Sequence, residues 1–253
     1  MSTLRGAAPA TGQVRTRLAL VVASCGMMTV ALSGCETTEQ ESAKIGREGQ
    51  RLVASQGSLE LGAVNRSVRV ADVTLLTSAG RTAVAMRLTG TSTRPQANVP
   101  VLVSVTGAHG RVLYSNDTGG LEPSLQHVAL LRPGQEEWWV NDQVLASQTA
   151  TGVSVRVGTG ARLASIADVA VGGVSLSHQA GLPVLTGTIV NRSIRLESKV
   201  PVFAVALRDG RIIAAGRAVA ESLPPRTPTR FQIFFVGNPT GGSIKVIALP
   251  TVG

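Results

Sequence analysis

Apolar and polar residues alternate with a period of two through most of the chain after about residue 66. The segments VAMRL at residues 84–88 and VLVSV at residues 101–105 show this alternation, which is typical of strands with one buried face. Asp209-Gly210 lies between two such segments and predicts a tight hairpin turn. The pattern therefore predicts an all-β fold.

The same pattern occurs twice, at a spacing of about 100 residues. Val73-Thr74-Leu75 matches Val174-Ser175-Leu176, and Val99-Pro100-Val101 matches Val200-Pro201-Val202 at the same spacing. Solenoid units are shorter than this period, so we expect each copy to be a whole domain. Several short strands joined by turns within about 95 residues predict a β-sandwich.

The N-terminus has a different pattern. Residues 1–17 carry only positive charge, and residues 18–32 form an apolar run, LALVVASCGMMTVAL. The run is shorter than the roughly 20 residues that a membrane span needs. A basic segment followed by a short apolar one is typical of an export signal.

The apolar run ends in Leu32-Ser33-Gly34-Cys35, which resembles the lipobox of bacterial lipoproteins. The resemblance implies that residues 1–34 are cleaved as a signal peptide and that Cys35 is lipidated. The mature protein would then be extracytoplasmic and anchored to the bacterial membrane by lipid on Cys35. An ordinary secretory signal, with Cys35 unmodified, is the alternative.

Residues 35–65 are polar and predict a tether, with a short helix where Ile45, Leu52 and Val53 recur at helical spacing. The strand spacing and turn placement after the tether are similar to the tandem immunoglobulin-like modules, such as FxLYD-type domains, of bacterial surface lipoproteins. The stretch from Gly120 to Gln143 also looks like uncharacterised actinobacterial lipoproteins. This resemblance implies two β-sandwich domains, over residues 66–160 and 161–253, that act as binding or scaffolding modules.

The composition of the chain limits the kinds of functional site that we expect. Cys25 and Cys35 are the two cysteines in the chain, so a mature protein lipidated at Cys35 has no disulfide or thiolate metal ligand. The three histidines are not paired at helical spacing, so we expect no metal and no cofactor. The net charge is +9, but the arginines are dispersed without basic runs or interleaved aromatics, so we expect no nucleic-acid partner.

Trp138-Trp139 is the candidate partner contact, with Tyr114 and Glu122 nearby. Neighbouring strand residues point to opposite faces, so one of the two rings needs cover from a loop, the other domain or a partner. Parity with Val140 points Trp138 inward. Alignment with Phe234-Phe235-Val236 of the second copy points Trp139 inward instead. The first copy has an insertion between Leu113 and Leu131 that the second lacks, and this loop is the alternative cover.

Three functions follow from these features. The first is a non-enzymatic binding or scaffolding module that contacts an envelope protein. The second is binding of an acidic wall polymer or small ligand through dispersed arginines, which are Arg192, Arg195, Arg208 and Arg211. The third is a hydrolase with a triad assembled from loops, although no G-x-S-x-G motif is present and we expect no enzyme.

Overall fold

A computed structural model describes residues 58–146, 149–163 and 165–250 of the chain. The expected signal peptide, Cys35 and the predicted tether helix lie outside the described residues. The described residues fold almost entirely into antiparallel β-strands, with two short 3-10 turns at Ala108–Gly110 and Pro123–Leu125. The all-β prediction is confirmed.

The first copy of the pattern, called here the first repeat, forms two sheets. One has the strand order β1-β2-β6, and in the other β3 pairs with β4, β5 and β7. These strands are β1 Val68–Ser78, β2 Arg81–Gly90, β3 Gln96–Thr106, β4 Val112–Ser115, β5 His127–Leu131, β6 Glu136–Asn141 and β7 Gly152–Val157. A short strand, β8 (Ala161–Arg162), follows and pairs with the start of β3.

The second repeat has the same plan. Its sheets have the orders β9-β10-β13 and β14-β12-β11-β15. Its strands are β9 Val169–Gln179, β10 Leu182–Asn191, β11 Glu197–Arg208, β12 Arg211–Leu223, β13 Pro228–Phe234, β14 Val236–Gly237 and β15 Ser243–Ala248. The predicted turn at Asp209-Gly210 joins β11 to β12, and both of its residues have positive φ angles.

The first hairpins of the two repeats, β1-β2 and β9-β10, have matching registers. Leu75 pairs with Val84 in the first repeat, and Leu176 pairs with Leu185 in the second. The register of the first hairpin shifts just after Ala71, and the equivalent hairpin shifts at the matching place. Asp72 and the equivalent Gly173 both have positive φ angles there.

The alignment of Trp138-Trp139 with Phe234-Phe235 is wrong. Met86 pairs with Trp139, and its equivalent Gly187 pairs with Phe231. Trp139 therefore corresponds to Phe231, and Arg230 takes the place of Trp138. The turn before β6 and the turn before β13 have the same length, so the alignment of Trp139 with Phe231 needs no gap. The shifted alignment rested only on the aromatic character of Phe234 and Phe235.

Each repeat has an apolar core between its two sheets. The core of the second repeat includes Leu185, Ile189, Val202 and Ile233. In the first repeat the buried residues Val84, Met86 and Leu88 of β2 belong to the core cluster, as the alternation predicts.

The core cluster of the first repeat continues into the second repeat. Phe203 and Val205 of β11 belong to it, whereas Val202 and Ala204 of the same strand face the core of the second repeat. Strand β11 is thus buried on both faces, because one face covers the first repeat and the other covers its own. The two repeats pack through the outer face of the β1-β2-β6 sheet and the outer face of β11 and β12.

Candidate functional site

The insertion predicted in the first repeat is an ordered loop, residues 116–126, that joins β4 to β5. The second repeat has the continuous strand β12 at this position. Asn116 is fully buried and fixes the loop to β3: its Oδ1 accepts from the backbone N–H of Val103 at 2.7 Å, and its Nδ2 donates to the carbonyls of Val101 and Leu125 at 2.8 and 2.7 Å. The sequence showed the insertion but not this anchor.

Trp139 is covered by the inserted loop. The ring is completely buried, and Nε1 donates to the carbonyl of Ser124 at 3.0 Å and to that of His127 at 3.3 Å. Trp139 pairs with Met86 and shares the core face of the sheet. Of the two orientations left open by the sequence, the structure has Trp139 inward, covered by a loop of its own repeat.

Trp138 lies on the opposite face of β6, together with Val140, and this face packs against the second repeat. Only 6% of the residue is exposed. The guanidinium of Arg87 lies 5.9 Å from the centroid of its ring, within the range of a cation–π contact. Both tryptophans therefore have almost no exposed surface with which to contact a partner.

Tyr114 is half-buried, and its hydroxyl accepts a hydrogen bond from Nδ2 of the buried Asn141 at 2.8 Å. Burial raises the pKa of Tyr114, while the hydrogen bond from Asn141 and the positive charge of Arg217 partly offset this. The side chain belongs to a polar cluster at the junction of the repeats.

Glu122 of the inserted loop is bound to the second repeat. Its carboxylate accepts from Nη1 of Arg217, which lies on the face of β12 that meets the first repeat. The same Nη1 donates to Oγ of Ser124 at 2.6 Å, and Nε donates to Oδ1 of Asp142 at 3.3 Å. Arg217 has 6% of its side chain exposed, so one buried guanidinium joins two carboxylates of the first repeat.

The polar cluster lies beside a groove between the repeats with a cavity volume of about 790 Å³. The inserted loop lines one wall through Glu122 and Ser124, the segment 165–167 lines a second, and the loop 193–199 lines a third. Its lining is mixed, with the apolar side chains Ile166, Ile194 and Leu196 beside charged ones such as Lys199. A groove of this size and composition fits an amphipathic ligand or an extended segment of another chain.

Ser124 is the buried hydroxyl at this groove. It donates to Oε2 of Glu122 at 2.6 Å and accepts from Arg217, so its partners are a carboxylate and a guanidinium. His127 also lines the groove, and burial lowers its pKa, although a hydrogen bond with the backbone of Pro123 acts in the opposite direction. The hydrogen bonds of the described residues include none between His127 and Ser124.

The four arginines considered for a polymer site lie at two ends of the second repeat. Arg192 and Arg195 belong to the loop between β10 and β11, beside the groove. Arg208 and Arg211 flank the turn at the other end of β11. The structure thus brings together two arginines of the set, not four.

No model of a known protein family matches this chain, and no curated protein is significantly similar to it in sequence. Within the described ranges, no group of three or more histidine, cysteine, aspartate or glutamate residues is placed to hold a metal ion. None of the helices found in those ranges is long and apolar enough to cross a membrane.

Proposed function

We propose that the protein is a lipid-anchored protein of the bacterial cell envelope that acts as a non-enzymatic binding or scaffolding module. Lipid on Cys35 anchors it to the bacterial membrane outside the cytoplasm. Its two repeats are tandem immunoglobulin-like β-sandwich domains. The observation that carries the proposal is the junction at Arg217, which joins the repeats into one unit and leaves a groove beside it.

The groove is the proposed binding surface, and a segment of another envelope protein is its proposed occupant. Its apolar and charged lining suits an amphipathic peptide. The hydroxyl of Ser124 is held between the carboxylate of Glu122 and the guanidinium of Arg217, so it serves the junction of the repeats, which supports binding in preference to hydrolysis. Of the four residues considered as a partner contact, Glu122 lines this groove.

A site-specific crosslink tests the groove. A photoreactive amino acid replaces Ser165, which is exposed and lines the groove, and in a matched control replaces Ser177 on the exposed strand β9. After irradiation of living cells, we expect a defined protein adduct at position 165 and none at position 177. No adduct at 165, or the same adduct at both positions, would contradict a partner in the groove.

The anchor is tested separately by mass spectrometry of the protein from a bacterium that processes lipoproteins. We expect a mature chain that begins at Cys35 and carries acyl groups. Cys35→Ala should remain unprocessed and lack lipid. A mature N-terminus downstream of Cys35, or an unmodified Cys35, would contradict the lipoprotein proposal and favour an ordinary secreted protein.

An acidic wall polymer is the second candidate partner. The observation that favours it is the group of exposed basic side chains at one end of the second repeat, which are Arg192, Arg195, Lys199 and Arg226. Retention on purified wall polymer should fall steeply with salt if these charges bind it. Retention that does not change with salt would exclude this partner.

A further inference from the structure

The loop between β10 and β11, Arg192–Leu196, exposes two large aliphatic side chains beside basic ones. Ile194 is 82% exposed and Leu196 is 62% exposed. We propose that this loop is a second membrane contact, which inserts Ile194 and Leu196 into the surface of a bilayer rich in anionic phospholipid. The proposal rests on the proposed anchoring through Cys35. It places the edge of the groove formed by Ile194 and Leu196 at the lipid surface, so a partner in the groove contacts the remaining lining, which includes Glu122, Ser165 and Ile166.

The exposure of these side chains is not a result of a loose loop. The buried side chain of Asn191 holds the turn: its Nδ2 donates to the carbonyl of Arg195 at 2.6 Å, and its Oδ1 accepts from the backbone N–H and hydroxyl of Ser193 at 2.9 and 2.6 Å. A second bond from Nδ2 to the carbonyl of Leu223 ties the turn to the sheet. The fold therefore presents Ile194 and Leu196 outward on a fixed turn.

The equivalent turn of the first repeat shows that this kind of turn does not require exposed apolar residues. There Thr93 and Pro95 stand at the positions of Ile194 and Leu196, and the remaining residues are Thr91, Ser92 and Arg94. The second repeat thus differs from the first by two exposed aliphatic residues on the same kind of turn. Ile166, which is 44% exposed, lies at the same groove, so the three side chains form a group of exposed aliphatic surface, and grouped apolar surface marks an interaction site.

The charges around the tip favour an anionic lipid surface. Arg192, Arg195, Lys199 and Arg226 are exposed on this end of the repeat. The acidic groups near them are Asp168, 3.9 Å from Arg192, the buried Glu197, and the exposed Glu221, which lies opposite Lys199 on β12. The four basic side chains still outnumber these acidic ones. Basic residues flanking apolar ones are the combination that interfacial membrane segments use, since the apolar groups enter the acyl boundary while the cations bind headgroups.

The path of the chain is compatible with this orientation. The described part begins beside the inserted loop, where the backbone N–H of Leu59 donates to the carbonyl of Asp117 at 3.1 Å. The same inserted loop lines the groove opposite Ile194. Fully extended, the chain from Cys35 to Ser58 reaches about 75 Å at about 3.3 Å per residue, so the lipid on Cys35 does not restrict the approach of the loop to the bilayer.

Vesicle binding by a chain without its own lipid tests the proposal. The protein used is residues 35–253 with Cys35→Ser, which retains every described strand. The vesicles contain either phosphatidylcholine with about 30% phosphatidylglycerol or phosphatidylcholine alone. We expect the chain to sediment with the anionic vesicles, and salt should weaken this binding. The double variant Ile194→Thr with Leu196→Ser should partition about tenfold more weakly, because each substitution removes apolar area that the parent chain buries in the bilayer.

Leu145→Ser is the matched control, because Leu145 is 83% exposed but lies outside the loop. It should bind vesicles like the parent chain, and circular dichroism should show that each variant is folded. Three outcomes overturn the membrane contact: no binding to anionic vesicles, an unchanged partition coefficient for the double variant, or an equal loss for Leu145→Ser. Retention on wall polymer that needs Arg192 and Arg195 but not Ile194 would assign the loop to that polymer instead.

The vesicle result and the anchor test are independent. A chain that carries lipid on Cys35 but does not bind vesicles without it would remove the membrane contact and leave the proposed function intact. A chain that binds vesicles through Ile194 but is not acylated at Cys35 would keep the membrane contact and remove the lipid anchor from the proposed function.

Discussion

The outer faces of the two equivalent sheets, β1-β2-β6 and β9-β10-β13, differ in composition and in what covers them. In β2 this face carries Ala83 and Ala85, which are both fully buried, and in β6 it carries Trp138. At the positions equivalent to Ala85 and Trp138, the second repeat has Thr186 and Arg230, which are exposed. The first face is packed against β11 and β12, whereas the second is open.

The same asymmetry occurs in the strands that make the contact. Strand β11 has Phe203 and Val205 on its outer face, both buried, where β3 has the half-buried Leu102 and Ser104. Equal topology therefore does not imply equal surroundings. A strand alternates apolar and polar residues only where one of its faces is open, and it is apolar on both faces where a second layer covers it.

Truncation of a side chain in the contact should have the largest effect. Phe203→Ala removes a fully buried ring between the repeats, so we expect the free energy of unfolding to fall by about 3–5 kcal/mol. Leu102→Ala, at the equivalent place in β3, should cost about 1 kcal/mol because that face is partly open. Urea denaturation of both variants measures this, and equal losses would mean that the two faces are equally covered.

Arg217→Met should cost about 3 kcal/mol. It leaves the carboxylates of Glu122 and Asp142 without their common partner in a largely buried site, and removal of one partner of a buried ion pair is strongly destabilising. Arg230→Met, on the open face of β13, should change stability by less than about 0.5 kcal/mol. Similar small effects for both variants would show that the Arg217 cluster does not hold the repeats together.

A buried carboxyl group of the first repeat should make stability depend on pH. Burial raises the pKa of Glu137 from 4.5 to about 7, partly offset by Arg132, whereas the equivalent position in the second repeat is the uncharged Thr229. The folded state holds this proton more tightly than the unfolded state, so the contribution of Glu137 to stability is fully present below pH 4.5 and is lost as pH rises through about 7. Between pH 5 and pH 7 the loss should be about 2 kcal/mol.

Glu137→Gln should remove most of this slope. Glu136→Gln should leave it unchanged, because the side chain of Glu136 is 54% exposed. Denaturation at several pH values measures both. A slope that persists in Glu137→Gln would assign the pH dependence to other groups.

A reciprocal exchange between the two outer faces should have the smallest effects. Ala85→Thr places a larger polar side chain in the packed face and should cost about 1–2 kcal/mol. Thr186→Ala makes the opposite change on the open face and should be neutral within about 0.5 kcal/mol. Thermal unfolding of the two variants compares them directly, and the reverse order of stabilities would contradict the assignment of the faces.

The sequence predicted the fold well because alternation and turn residues act locally. The segment at 84–88, the turn at Asp209-Gly210 and the equivalence of the repeats all follow from short-range patterns. The orientation of Trp138 and Trp139 does not follow from such short-range patterns. Val140 indicated that Trp138 points to the core, but the face that Val140 shares is buried by the second repeat and not by the core of its own.

Arg217 was missed for the same reason. Its burial depends on a face of the other repeat, and no local pattern reports such a partner. One signal was present in the sequence: residues 200–207, VPVFAVAL, are apolar at every position, so this strand must be covered on both faces. An arginine on the neighbouring strand would then be buried, and it would need carboxylates such as those of Glu122 and Asp142.

The central claim is that the two repeats form one unit through this contact. Both tryptophans of the chain lie in the first repeat, Trp139 in its core and Trp138 at the contact with the second repeat. Tryptophan fluorescence therefore reports the unfolding of the first repeat and the loss of the contact. Far-UV circular dichroism reports both repeats. Denaturant unfolding of residues 35–253 with Cys35→Ser should give superimposable transitions by the two methods. A fluorescence transition separate from a second transition in circular dichroism would show that the repeats unfold independently and would contradict the account.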